Sequence, residues 1–126
     1  MFLSAGSTFL LPRKLEWKDH LFVILLDVNV DGNTLIVNFT SAKPHSDRTT
    51  ILKPGDHPFI TRETVVNYLD ATITKLSKLQ QAISMGLGQS HEPVSSDLLR
   101  KLQIDLMRSP LTKLKIKKFL QDNLSF

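Results

Sequence analysis

The sequence predicts an α+β fold, a small curled antiparallel β-sheet or partly open barrel followed by C-terminal helices. Three observations carry this: short β-prone segments crowd the first 76 residues, an Asp31-Gly32 reversal joins two of the strongest, and two amphipathic helical patterns finish the chain. At 126 residues, 41% hydrophobic and 22% charged, the chain reads as one domain over residues 1–126, with its sheet at about 4–76 and its helical part at about 95–123.

Taken in order, residues 7–11 form a first strand, entered through Gly6 and stopped by Pro12. His20 to Asp27 is a continuous apolar run of strand length, which predicts a central strand at 20–28 covered on both faces. Asp31-Gly32-Asn33 turns the chain, and Thr34 to Thr40 resumes with β-branched residues, so the two strands are antiparallel neighbours. The polar stretch from Ser41 to Arg48, containing Pro44, is a surface loop; Thr49 to Leu52 is a short strand ended by the Pro54-Gly55 turn. Beyond an ambiguous opening at Thr61, Val65, Val66 and Tyr68 favour extension, residues 71–76 alternate as a strand, and the chain through Ile83 coils into a helical turn. Residues 85–93, with Gly86, Gly88 and Pro93, read as loop.

Two helices follow, at about 96–107 and 110–122. Ser95 or Ser96 caps the first, Asp97 suits its N-terminal end, and Leu99, Leu102 and Leu106 share a face. Ser109-Pro110 has the form of a cap followed by proline at the first helical position. In the last helix Ile116, Phe119 and Leu120 make an apolar stripe, while Lys113 and Lys117 lie on a different side, as do phosphate-binding or simply solvated lysines.

The formal net charge is +4, unevenly placed. From Leu98 onward seven basic residues face only Asp105 and Asp122, a surplus of five, so everything before carries minus one. Such a block suits a phosphate backbone, an acidic partner or a solvated face. There is no cysteine, which removes disulfides and thiolate metal sites and fits a reducing compartment. No 18-residue apolar run occurs, and the basic residues near the N-terminus follow the apolar ones, the reverse of a signal peptide; the expectation is a cytoplasmic protein without membrane contact.

The chemistry concentrates after the 49–52 strand, where Asp56 and His57 follow the turn and Pro58 biases His57 towards extension. A held imidazole suits acid–base work; the plainer reading is that Asp56 accepts from loop amides and His57 caps a strand end. His45, Asp47 and His57 show no spacing that sets two metal ligands on one element, so no metal or other cofactor is expected.

The order of Gly6 to Leu11, His20 to Leu25, Leu35 to Ser41, Ile51 to His57, Ala71 to Ile73 and Ser95 to Leu106 resembles the PemK/MazF-like toxin superfamily over roughly residues 4–107. The resemblance implies an SH3-like barrel, a homodimer, cleavage of single-stranded RNA, and an antitoxin protein or peptide that blocks the site. Thr40 and Ser41 match the hydroxyl pair that holds the scissile phosphate there. The usual Arg-Pro at the head of the second strand is absent, Asp19-His20 standing in its place.

Metal-free RNA cleavage needs a base for the 2′-hydroxyl, an acid for the leaving oxygen and a cation for the charged phosphorane. Histidine has the reference pKa suited to both proton transfers, which makes His20 and His57 the candidate pair, with Thr40 and Ser41 as donors and Arg48 or Lys53 as the cation. The alternative is a non-catalytic barrel that presents a groove to nucleic acid or to a peptide, and it needs no acid–base pair. Antiparallel pairing puts the start of one strand beside the end of the next, so His20, Thr40 and Ser41 are expected to converge, with His57 folded towards them from the loop beyond.

Overall fold

The computed structural model describes residues 3–12 and 19–124. Its strands are β1 (Thr8–Pro12), β2 (Asp19–Ile24), β3 (Asn33–Ser41), β4 (Ile51–Leu52), β5 (Thr64–Val66), β6 (Thr72–Lys75) and β7 (Gln89–His91). The helices are α1 (Leu76–Ser84), α2 (Ser96–Arg108) and α3 (Leu114–Asn123). The strands make one sheet in the order β4-β5-β3-β2-β1-β7, with β6 also on β3, and every pairing is antiparallel. This is the α+β, curled antiparallel fold the sequence predicts, and β4 and β7 do not pair to close it into a barrel.

Tight reversals set the register. Gly32 takes φ +81° between β2 and β3, where the Asn29 side chain accepts from the N–H groups of Asp31 and Asn33. β3 has β2 on one edge and, on the other, β6 along its first half and β5 along its second. Alternation then divides the core between the two faces of the sheet. Leu21, Val23, Leu25, Leu35, Val37 and Phe39 point into the larger cluster with Leu102, Leu106, Ile116 and Leu120 of α2 and α3. Phe9, Ile24 and Ile36 point the other way, against Leu79 of α1. β2 is therefore covered on both sides, as its unbroken apolar run requires.

β2 ends at Ile24 rather than near 28, β4 begins at Ile51 rather than 49, and Tyr68, expected extended, opens a single 3₁₀ turn through Asp70; three further boundaries depart from the sequence expectation. The helical turn before Ile83 is the nine-residue α1, whose Leu76, Leu79 and Ile83 recur at helical spacing. Residues 89–91, read as loop, are strand β7 on β1, and Gly88 permits the approach, since a Cβ there would stand 3.2 Å from the Leu10 carbonyl oxygen. The last helix begins at Leu114 and not at Pro110, because Ser109 belongs to the preceding turn: its hydroxyl donates to Asp47 Oδ2 while accepting from the Leu111 N–H. In α2, Ser95 is the cap, accepting from the Leu98 N–H at 3.1 Å, and Leu98 heads the buried stripe with Leu99 at its margin.

A carboxylate lies inside that stripe. Asp105 is 2% exposed, and its Oδ2 accepts from the Thr50 hydroxyl at 2.7 Å, which is 2.5 Å from the Tyr68 hydroxyl. Lys101 and Arg108 approach the same carboxylate from solvent at 3.2 and 3.8 Å. Burial, with Asp105 and Asp47 nearby, pushes the Tyr68 phenol above its ordinary range, so it remains a donor. A buried hydroxyl left without its partner costs about 1–3 kcal/mol. Asp105→Ala is therefore expected to lower the unfolding free energy by about that amount in urea titrations, and Tyr68→Phe by about 0.5–1.5 kcal/mol.

Asp47 ties the 42–50 loop to the end of α2. Burial by itself raises its carboxyl, but the Ser109 hydroxyl, the Thr49 hydroxyl at 2.6 Å and the Thr49 N–H at 2.9 Å outweigh this and hold it below its ordinary value of 3.8. The folded state thus binds this proton less tightly than the unfolded chain. Its contribution is present above the unfolded-chain value and is lost as pH falls through the lowered one. Urea midpoints taken from about pH 5 downwards should fall in the wild type, and fall less steeply in Asp47→Asn.

Candidate functional site

The start of β2 and the end of β3 meet at one end of the sheet. The register Phe22↔Asn38, carried two residues further, brings His20 level with Thr40, and His20 Nδ1 lies 3.2 Å from the Phe39 carbonyl. A carbonyl only accepts, so in the neutral ring Nδ1 carries the proton and Nε2 is the acceptor nitrogen, on a side chain that is 5% exposed. On the far edge of β3, Thr40 pairs with Val65 and Ser41 with Thr64 of β5, which attaches the segment leading into β5 as a second wall. Between the walls is a cleft of about 500 Å³, lined by His20, Thr40, Ser41, Phe59, Arg62 and His91 among others.

The turn after β4 carries that second wall. Gly55 takes φ +106°, and the Asp56 carboxylate accepts from the Lys53 N–H at 2.7 Å, which makes Asp56 a brace of its own turn. His57 follows, 4% exposed, and both its nitrogens are engaged. Nδ1 accepts from the Phe59 N–H at 3.0 Å, and Nε2–H donates to the Glu92 carbonyl at 2.6 Å. The same carbonyl accepts from the Thr8 hydroxyl at 2.7 Å. A side chain from the loop after β4 thus reaches the chain just past β7, spanning the two ends of the strand order where no backbone pairing closes the sheet.

His91 is the imidazole that lines the cleft from this side. It lies 5.6 Å from the His57 ring and edge-on to Phe59 at 5.8 Å. Its Nδ1 accepts from the Glu92 N–H at 2.9 Å, so in the neutral ring Nε2 bears the proton, the opposite tautomer from His20. Arg62 is exposed at the cleft and makes no ion pair among the described residues.

Of the residues singled out in the sequence, the structure brings His20, Thr40 and Ser41 together on the cleft and sets His57 behind it. Arg48 is paired with Glu63 at 2.9 Å, and Lys53 stands exposed in the turn, neither lining the cleft. Lys113 and Lys117 lie on or beside α3, away from it. His45 is exposed in a loop, Asp47 is bonded to Thr49 and Ser109, and no group of three or more His, Asp or Glu among the described residues is placed to hold a metal ion. Arg62 and His91 are the cleft residues that sequence reasoning missed. The one local signal for His91 is Gly88, which marks a close backbone approach just before it; Arg62 has none.

Comparisons with protein-family models, curated proteins and solved structures give no match. Fold and cleft define an open, curled antiparallel sheet with a cation, two imidazoles, hydroxyls and one half-buried aromatic ring at its end. No helix among the described residues is long and apolar enough to cross a membrane.

Because His57 braces the loop from within, His57→Ala is expected to leave the Phe59 N–H without its acceptor and cost about 1–3 kcal/mol of stability. His91→Gln, at a partly exposed position, should change the urea midpoint little. Equal losses in the two variants would show that the brace does not act as described.

Proposed function

We propose that the protein binds single-stranded RNA in this cleft. The observation that carries the reading is the meeting of Arg62, His91, Thr40 and Ser41 beside the half-buried ring of Phe59. A backbone phosphate suits the guanidinium, the Nε2–H of His91 and the hydroxyls, while an unpaired base lies on Phe59, a stack worth about 1–3 kcal/mol. A volume of about 500 Å³ fits a single nucleotide and is too small for a paired helix.

A second reading, metal-independent cleavage, is favoured by the opposite tautomers of His20 and His91 on the same cleft. His20 Nε2 takes the proton of the ribose 2′-hydroxyl, and the 2′-oxygen forms a bond to phosphorus. The bond from phosphorus to the 5′-oxygen breaks, and His91 Nε2–H protonates the leaving oxygen. The products are a 2′,3′-cyclic phosphate and a 5′-hydroxyl end. Arg62 and the hydroxyls stabilise the charge that builds on the phosphorane. This is the toxin-type endoribonuclease that the PemK/MazF-like resemblance implies, and an antitoxin partner, a homodimer and a cytoplasmic setting belong to that same resemblance.

Fluorescence anisotropy with labelled oligouridylate tests binding. It is expected to weaken steeply with salt and to lose about tenfold or more in affinity on Arg62→Ala. Incubation of the pure protein with a long RNA, with and without EDTA, followed by mapping of the ends, tests cleavage. Cyclic-phosphate ends that resist EDTA, with rates lowered roughly 10²–10⁴-fold by His20→Gln at unchanged binding, establish the second reading; His91→Gln should lower the rate and weaken binding as well, because its Nε2–H also faces the phosphate. Binding without cleavage leaves the cleft as a binding module, and absence of binding overturns both.

A further inference from the structure

The basic C-terminal helices are not consumed by the cleft, and between them runs a separate groove. Its floor is Ile104 and Met107 of α2 with Leu120 and Leu124 beside α3, and its volume is about 340 Å³. Ile104 is 47% and Met107 37% exposed, an apolar pair left open to water on a helix whose opposite face is already in the core. Arg100 and Arg108 line the same groove, Arg108 with its guanidinium also 3.8 Å from Asp105. Lys117 stands one turn before Gln121, another lining residue, so helical spacing sets its charge along the same side.

We infer that this groove docks an acidic amphipathic helix of a partner protein. The apolar floor takes a stripe of leucine-type side chains, and the cationic rim takes carboxylates on the flanks of that helix. Methionine in the floor adapts to the shape of what enters. Single-stranded RNA fits less well, because no aromatic ring among the described residues lines the groove for a base to stack on. A second copy of this surface would set arginine against arginine.

The test uses the full-length protein, since α3 supplies Ile116 and Leu120 to the core and a truncation would remove both. Selection of displayed random peptides of about 16 residues, some four helical turns, with counter-selection on Ile104→Glu, is expected to return sequences rich in Asp and Glu with apolar residues at helical spacing. A synthesised winner should lose about tenfold or more in affinity on Ile104→Glu and, as an independent check, on Met107→Gln. Lys117→Gln should reduce the salt dependence of binding, with thermal melts confirming that each variant is folded. The inference is overturned if no acidic amphipathic pattern emerges, if the winner binds Ile104→Glu as tightly as the wild type, or if oligouridylate displaces it from the groove.

Discussion

The hydrogen bond from His57 to the Glu92 carbonyl is the constraint on which the cleft depends. β4 and β7 end the strand order and share no backbone ladder, so no sheet pairing holds the loop after one against the chain after the other. A buried imidazole does it instead. Its acceptor nitrogen fixes the Phe59 amide and its donor nitrogen fixes the carbonyl beyond β7, which places Phe59 and His91 edge to face. A histidine with one proton can satisfy one acceptor and one donor at once, and a lysine or a carboxylate in its place cannot. Pro58 follows in a turn whose first carbonyl, that of His57, accepts from the Ile60 N–H at 2.9 Å, which holds the backbone beside the ring.

Much of the sheet was legible because its signals are local. The apolar run after His20, the Asp31-Gly32 turn and the β-branched run from Thr34 specify two antiparallel neighbours without help from distant residues. Convergence of His20, Thr40 and Ser41 followed from that pairing alone. β7 was illegible for the opposite reason: Gln89, Ser90 and His91 have no apolar alternation, and they become a strand through partners Thr8, Phe9 and Leu10 some 80 residues earlier. The parts played by His57 and His91 were hidden in the same way. Which imidazole faces the cleft depends on where the Glu92 carbonyl comes to rest, 35 residues from His57.

The charge count was legible in size and misleading in distribution. Of the seven basic residues after Leu98, Lys101 and Arg108 face the buried Asp105 and Lys118 pairs with Asp122 at 3.1 Å. Part of the apparent surplus therefore neutralises a carboxylate that an amphipathic reading of α2 gave no reason to bury. That carboxylate joins α2 to the sheet through Thr50 and Tyr68, and a buried charge is tolerated there because hydroxyls and two cations surround it. The positive charge available to a partner sits on a smaller area than the sequence implies, and α2 and α3 present it beside exposed leucine, isoleucine and methionine.

The tautomers of the cleft follow from backbone geometry rather than from the rings. His20 has its Nδ1 against a carbonyl and so offers an acceptor at Nε2; His91 has its Nδ1 against an amide N–H and so offers a donor. Neither choice needs a ligand. The carbonyl belongs to β3 and the amide to the residue that follows β7, and those elements are set in place by the ladders β3–β2 and β1–β7. On the proposed reading, the asymmetry that a phosphodiester needs, a proton acceptor on one side and a proton donor on the other, is built into the sheet. On that reading, swapping the His20 ring for an amide removes the proton transfer and leaves the backbone groups that oriented it, so cleavage is separable from binding there, whereas His91 also faces the phosphate and its loss touches both.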